Sequence, residues 1–377
     1  MIKIGTVCSG IGSPEVAIHQ LAEEKKFEVE KVFACDIDKY ARDSYLANFK
    51  TKEMFTDMTS EEFHNNAGYS DIFIGGIPCQ AFSLAGKRLG ELDKRGLLFY
   101  DFYRYVREKQ PKVFIIENVK GLISDNKGKT FQNWLLLLGR SVNQHEQMFL
   151  HPDSLEYNLH HTVLNSKNFG VPQNRERVFI VGIRNDLLNN FSFPVGWPLD
   201  KRLKDILEPK VDEKYYLSDK MVEGLIKTKN KSFINQDTQA SQVYDVDNLA
   251  PTLAAGTHGY ANGYIEEVNN ADPQIINPLK DKTDFGWHFE QNVFSEDSIT
   301  RALKSSEGSG NKQKVILKNR IRRLTPLECW RLQGFPDENL YKAKEFNSDT
   351  QLYKQAGNSM TTKVMKAIIK NTLPILL

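Results

Sequence analysis

The first half of the chain alternates short apolar runs with longer amphipathic ones. "KIGTVCS" has the length and β-branched content of a strand, and "SPEVAIHQLAEE" behind it carries apolar positions at helical spacing. Ser13 is the expected N-cap of that helix, with Pro14 at its first position. The alternation continues through strand "EKVFACDID", helix "KYARDSYLANF", strand "DIFIGGIP", helix "LLFYDFYRYVREKQ", strand "KVFIIENV" and helix "KTFQNWLLLLGRSV". It closes in "LHHTVLNS" and "ERVFIVGIR". Such a series predicts right-handed βαβ units and an α/β fold, a largely parallel sheet with helices on both faces. Beyond about Arg184 the pattern breaks down. Residues 185 to 320 are rich in Asn, Asp, Lys and Gly, with turn signals such as "AAGTHGYANGYI", and predict an irregular second domain of short strands. "YKQAGNSMTTKVMKAIIKNTL" then reads as one amphipathic helix that docks back on the sheet. The expected organisation is a main domain over 1–184, a second domain over 185–345 whose variable part is about 185–315, and a returning segment over 346–377.

Composition adds little until charge is followed along the chain. A length of 377 residues allows two domains, and 40% hydrophobic with 26% charged residues describes an ordinary soluble protein. A net charge of +2 does not by itself argue for nucleic acid. Between Arg301 and Arg323, however, Lys304, Lys312, Lys314, Lys318, Arg320 and Arg322 face the single acid Glu307. A run like this is either a solvated face or a surface that tracks phosphates. Cys8, Cys35, Cys79 and Cys329 are scattered with no CxxC pair, and His160 and His161 belong to no HExxH, so neither a metal site nor a disulfide framework is expected. The opening "KIGTVCSG" reads as strand and turn rather than a signal peptide, and no apolar stretch reaches membrane-span length. The expectation is a cytoplasmic protein with reduced thiols.

Candidate chemistry gathers at the strand ends, where open α/β sheets bind ligands. "GGIPCQAFS" puts Cys79 directly behind Pro78 at the mouth of an apolar strand. A free cysteine is usually inert core, so this one needs functional neighbours to count as a nucleophile. "CSGIGSPE" places Gly10 and Gly12 in the first strand-to-helix turn, and Asp36 ends the second strand, where a carboxylate can accept from ribose hydroxyls. The dinucleotide fingerprint wants a third glycine where this chain has Glu15, which favours a smaller adenosine-bearing ligand over a nicotinamide cofactor. "IIENV" sets Glu117 at the end of a buried strand, where a protonated carboxyl could donate to a ring nitrogen; a capping or salt-bridged glutamate is the plainer reading. In "QNRERVFIVG", Arg175 and Arg177 are two apart and would share one face of a strand. They could be surface ion pairs or, facing a thiol, could lower its pKa and hold a carbonyl-bearing substrate.

Taken in order, "GTVCSGIGSPE", "FACDID", "GGIPCQAFS", "RGLLFY", "ENVKGL", "QNRERVFIVG", "RRLTPLECWRLQGFPD" and "GNSM" resemble the cytosine-C5 DNA methyltransferases over nearly the whole chain. The resemblance implies a Rossmann-like S-adenosylmethionine-dependent methyltransferase sheet and a smaller target-recognition domain. It implies Cys79 as the nucleophile on C6 of cytosine, Glu117 on the N3 and amino edge, and Arg177 with Arg175 on the base. It implies Cys8, Ser9, Gly10, Ile11, Gly12, Asp36, Ile37, Asp57, Met58, Pro78, Leu98, Asn358 and Ser359 around S-adenosylmethionine, with no metal. Thr252 and Leu253 in "APTLAAGTHGY" stand where the family carries a Thr-Leu recognition element, and Arg320 and Arg322 are the expected DNA contacts. The first block departs from the family in Cys8, where an aromatic residue is common, in Ser13, where a further glycine is usual, and Ile37 is aliphatic where an aromatic residue often stacks.

The implied partner is double-stranded DNA, bound by a monomer, with a cognate restriction endonuclease left open as a companion. Two rivals carry related chemistry or none. A transfer-RNA cytosine-C5 methyltransferase would carry a Cys-Phe-Thr insertion that is not found here, and a catalytically silent DNA-binding relative would not keep Cys79, Glu117 and Arg177 together.

Overall fold

The computed structural model describes residues 1–78, 98–141, 152–218, 253 and 320–377, with the strand segments 243–245, 250–251, 264–266 and 315–317. The chain divides into two compact units, Met1–Asn165 with Glu176–Gly196 and Met360–Leu377, and Ser166–Arg175 with Trp197–Ser359.

In chain order the first unit contains β1 (Ile2–Val7), α1 (Ser13–Lys25), β2 (Val29–Cys35), α2 (Lys39–Asn48), β3 (Glu53–Phe55), α3 (Glu61–Asn66) and β4 (Ile72–Gly76). α4 (Leu98–Lys109), β5 (Val113–Val119), α5 (Lys129–Leu138), β6 (Gly139–Ser141) and β7 (Tyr157–Asn165) follow. After the two-residue β8 (Gln173–Asn174) of the second unit, β9 (Glu176–Ile183) completes the sheet, whose order is β3-β2-β1-β4-β5-β9-β7-β6. All pairings are parallel except those of β9, which runs antiparallel to both β5 and β7. This is the expected mixed α/β sheet.

The central strands are buried on both faces, so they read as unbroken apolar runs: Ile72 to Ile74 and Val113 to Ile116 are closed to solvent. Aromatic side chains fill the space between sheet and helices, with Phe102 stacked on Phe73 at 4.5 Å and Trp134 on Phe99 at 4.2 Å. The strand order reverses direction between β1 and β4, which opens a crevice beyond their carboxyl ends. The Gly10 turn leaves β1 and Pro78 leaves β4 at that reversal.

Two local expectations are corrected. Gly12, at φ 83°, is the residue that caps α1; Ser13 is already helical and its hydroxyl caps nothing. The single C-terminal helix is two, α8 (Asp349–Asn358) and α9 (Thr362–Leu376), because the chain turns extended at Ser359 and Thr361. α9 packs on α1 within the first unit, with Lys366 paired to Glu24 and Asn371 Nδ2 donating to the Ser192 carbonyl. No described helix is long and apolar enough to cross a membrane.

The second unit holds a parallel pair, β8 with β11 (Ala250–Pro251), and a sheet ordered β10 (Val243–Asp245), β12 (Tyr264–Glu266), β14 (Arg320–Arg323), β13 (Val315–Leu317). Among the described residues its α-helices are α6 (Pro326–Leu332), α7 (Asp337–Lys344) and α8. α6 begins with a capping box in which Thr325 and Glu328 bond each other's backbone amides. Buried Trp330 on α6 donates to the Leu352 carbonyl at 3.0 Å, which fixes α6 against α8.

Candidate active site

The turn after β1 uses the left-handed region three times, at Cys8 (φ 48°), Gly10 (φ 54°) and Gly12 (φ 83°). The two glycines serve different ends. A Cβ on Gly12 would lie 2.3 Å from the Phe49 ring, so that glycine permits packing. A Cβ on Gly10 would meet nothing within 4 Å, so the backbone there borders open space that a ligand can enter. The Gly10 amide donates to Asp36 Oδ2 at 2.7 Å and the Asp38 amide to Oδ1 at 2.9 Å, so the carboxylate is fixed while lone pairs remain. Burial pushes the Asp36 carboxyl above its usual range. Ile37 beside it is 80% exposed, an apolar shelf at the mouth of the crevice.

Asp57 and Met58 follow β3 at the same end of the sheet. Asp57 Oδ1 accepts from the Thr59 amide and hydroxyl, and buried Met58 sets its sulfur 4.0 Å from Cys8 Sγ. Burial first, and the nearby Asp36 charge second, push the Cys8 thiol far above its ordinary range. Ser9 and Ile11 are buried in the turn, Pro78 is half-buried beyond β4, and half-buried Leu98 opens α4. Exposed Asn358 and buried Ser359 belong to the end of α8 in the second unit. The open Gly10 backbone, the anchored carboxylate and the exposed aliphatic shelf together fit a nucleoside-bearing ligand.

Glu117 and Arg177 come together through the antiparallel register. Glu117 pairs with Phe179 and Val119 with Arg177, so the two side chains lie diagonally on one face. Arg177 Nε stands 3.3 Å from Glu117 Oε1, and both side chains keep some exposure. Burial lowers the Arg177 pKa, and the Glu117 charge opposes that shift. The next residue, Asn118, was missed in the sequence: its buried amide donates to the Ile77 carbonyl at 3.0 Å, tying β5 to the segment that leads into Cys79. Cys79 itself lies outside the described residues, as does Thr252.

The remaining expectations divide. Arg175 does not share a strand with Arg177, since β9 starts at Glu176. Its buried guanidinium donates to the Ser359 carbonyl at 2.8 Å and reaches the Leu253 carbonyl at 3.5 Å. Buried Gln173, also missed, donates to the Leu332 carbonyl at 2.7 Å, while its Oε1 lies 3.4 Å from the Leu253 amide. With Ala250 paired to Gln173 and Pro251 to Asn174 across the ladder, Ala250, Pro251 and Leu253 are held on the 173–175 segment. Leu253 is buried there and anchors that loop through its backbone. Arg320 lies on β14, and its side chain is outside the described residues. Arg322 turns inward. Both terminal nitrogens meet the two Glu328 oxygens at 2.9 Å and the side chain is wholly enclosed, so it braces the fold instead of facing a phosphate. Among the described residues no group of three His, Cys, Asp or Glu side chains could hold a metal.

Residues 2–373 match the family model for C-5 cytosine-specific DNA methylase. The orphan methyltransferase M.SPRI of Bacillus phage SPR is 32% identical, covering 99% of this chain and 97% of its own. The type II methyltransferase M.HpaII of Haemophilus parainfluenzae is 33% identical over 97% of this chain and 87% of its own. Among solved structures, the Dnmt2 methyltransferase of S. pombe shares the fold with a TM-score of 0.60 at 19% identity, each chain covered in full.

Proposed function

The chain belongs to the C-5 cytosine-specific DNA methylase family, and on that premise we propose that it methylates C5 of a cytosine swung out of a short duplex sequence, by way of a covalent Cys79 adduct. The observation that carries the reading is the Glu117–Arg177 pair, held at the strand ends but left with bonding capacity. S-adenosylmethionine, when bound, supplies an electrophilic methyl group. Gly10, Ile11 and Gly12 would line it, Asp36 would take its ribose hydroxyls, and Ile37 would lie against its adenine.

The chain's own residues do the rest. Cytosine C5 is a poor nucleophile until a thiolate adds at C6, which moves the ring electrons onto C5. Cys79 supplies that thiolate, and Arg177 as a cationic neighbour raises the thiolate fraction of a group whose ordinary pKa is about 8.5. Glu117 hydrogen-bonds the N3 and amino edge, stabilising the electron pair pushed into the ring. After transfer a base takes the C5 proton, C5=C6 reforms, and Cys79 leaves as thiolate. A base inside a duplex is out of reach, so the nucleotide is extruded at a cost of about a few kcal/mol. Contacts from Thr252, Arg320 and the wider second unit would offset that cost, with buried Leu253 holding the loop that carries Thr252. The protein acts as a monomer. The type II names among its relatives support a companion endonuclease, and the orphan names support solitary action.

The test is incubation with radiolabelled S-adenosylmethionine and duplex DNA, followed by bisulfite mapping. Incorporation is expected at one short motif and is abolished by Cys79→Ala; 5-fluorocytosine DNA should trap the wild-type protein covalently. Incorporation that survives Cys79→Ala overturns the mechanism.

A further inference from the structure

Glu15 stands on α1 where a dinucleotide fingerprint would place its last glycine, and no step of methyl transfer uses it. Its side chain is only 1% exposed. Oε1 accepts from Thr6 Oγ1 at 2.7 Å and from the Tyr45 hydroxyl at 2.9 Å, while Oε2 has no hydrogen-bond partner among the described residues. Thr6 lies on β1 and Tyr45 on α2, so one oxygen ties together three elements that meet at the glycine turn.

From Thr6 the contacts continue inward. Thr6 Oγ1 lies 2.8 Å from Ser9 Oγ, and Ser9 Oγ accepts from the Cys35 amide at 3.0 Å. The Ser9 amide in turn donates to the Cys35 carbonyl at 3.0 Å. The residues that follow Ser9 and Cys35 are Gly10 and Asp36, whose amide and carboxylate are joined at 2.7 Å. A line of polar contacts thus runs from Tyr45 through Glu15 and Thr6 to Ser9 and Cys35, the chain neighbours of the Gly10–Asp36 pair that faces the crevice.

Burying a carboxyl is costly, and burial accordingly pushes the Glu15 pKa up. An apolar side chain of similar size would fill the space at lower cost. What the carboxyl adds is direction: one oxygen that accepts from both Thr6 and Tyr45 fixes an arrangement of β1, α1 and α2 where packing alone admits several.

We propose that Glu15 is a positioning residue, which acts through Thr6 and Ser9 to hold the Gly10 amide and the Asp36 carboxylate at the spacing the methyl donor requires. This rests on the reading of the crevice as the S-adenosylmethionine site. Glu15→Gln keeps an acceptor oxygen for Thr6 and Tyr45. Glu15→Met keeps the volume and removes the acceptor, and Thr6→Val cuts the line one link further on.

The experiment is equilibrium dialysis of the full chain with labelled S-adenosylmethionine without DNA, paired with steady-state kinetics at varied donor and varied DNA. Glu15→Met and Thr6→Val should each raise the donor Kd and KM about tenfold, the size expected for one lost buried hydrogen bond. The kcat at saturating donor and the KM for DNA should stay within about twofold, which marks lost donor binding rather than lost chemistry. Glu15→Gln should return the donor Kd to within about threefold of wild type. Should Glu15→Met fail to fold, Tyr45→Phe removes one donor and keeps the ring, with an expected rise of about threefold. A donor Kd unchanged in these variants, with only melting temperature or active fraction reduced, makes Glu15 a core stitch and overturns the proposal. A wild-type chain that binds no S-adenosylmethionine overturns the reading beneath it instead.

Discussion

Arg177 meets Glu117 through one nitrogen at 3.3 Å, with the side chains 16% and 11% exposed, whereas Arg322 grips Glu328 through two nitrogens at 2.9 Å with neither exposed. The same two residue types make opposite devices. Glu328 also accepts from the Thr325 and Glu208 amides, at 2.7 and 2.8 Å, so its oxygens are filled by protein donors. Glu117 has only the Arg177 contact among the described residues. A carboxylate with several donors is finished; one with a single long contact keeps lone pairs for an incoming ring. Bonding saturation, more than residue identity, separates the pair that braces the second unit from the pair proposed to meet the base in the first.

The largest effect should come from breaking the closed pair. Glu328→Gln leaves the Arg322 guanidinium enclosed without its counter-charge, and removing one partner of a buried pair costs about 3–5 kcal/mol. Denaturant unfolding should register that loss, while the kcat of the molecules that remain folded stays within about twofold of wild type. An unfolding midpoint equal to wild type would show that Arg322 does not need its partner, and the contrast between the pairs would fail.

Glu117→Gln should act the other way round. It keeps the shape and puts an amide where a carboxyl faces the base, and the loss of one such polar group costs about 10²- to 10³-fold in turnover. Because Arg177 and Glu117 meet in one 3.3 Å ion-pair contact rather than a forked hydrogen-bonded pair, its loss should cost less stability than the about 3–5 kcal/mol of the closed pair. Single-turnover methylation measured beside unfolding separates the two effects. Unimpaired turnover with a collapsed unfolding midpoint would place Glu117 with Glu328 among the braces.

How far these roles are legible from the chain alone depends on what decides them. The strands β4 and β5 are plain in the sequence because burial on both faces makes them continuous apolar runs, and β1 and β2 show through their buried carboxyl-terminal halves. β3 and α3, of three and six residues, are too short for any period to show. Gly10, Asp36 and Glu117 were visible because strand ends can be located from the apolar runs themselves. Arg322 was not, since the basic run from Arg301 looks uniformly outward until Glu328, a few residues beyond it, draws one guanidinium inside. The break between α8 and α9 was hidden for a similar reason. The apolar spacing of "YKQAGNSMTTKVMKA" permits one helix, while the carbonyl of Ser359 is held by an arginine far back in the chain.

That arginine supplies the smallest and sharpest test, since alternation alone would have grouped Arg175 with Arg177. Its guanidinium is buried on the Ser359 and Leu253 carbonyls, neutral acceptors that a lysine could partly serve. Arg175→Lys should therefore cost about 1 kcal/mol of stability, the net worth of an ordinary hydrogen bond, and lower kcat/KM by less than about tenfold. Arg177→Lys, at the open pair, should lower kcat/KM much further while leaving the unfolding midpoint nearly unchanged. The two substitutions are chemically identical and two residues apart, so composition, charge and expression affect both alike and only the surroundings differ. If Arg175→Lys instead abolished transfer in a fully folded chain, burial against backbone carbonyls would not mark an arginine as structural, and the rule drawn from the two glutamate pairs would not extend to it.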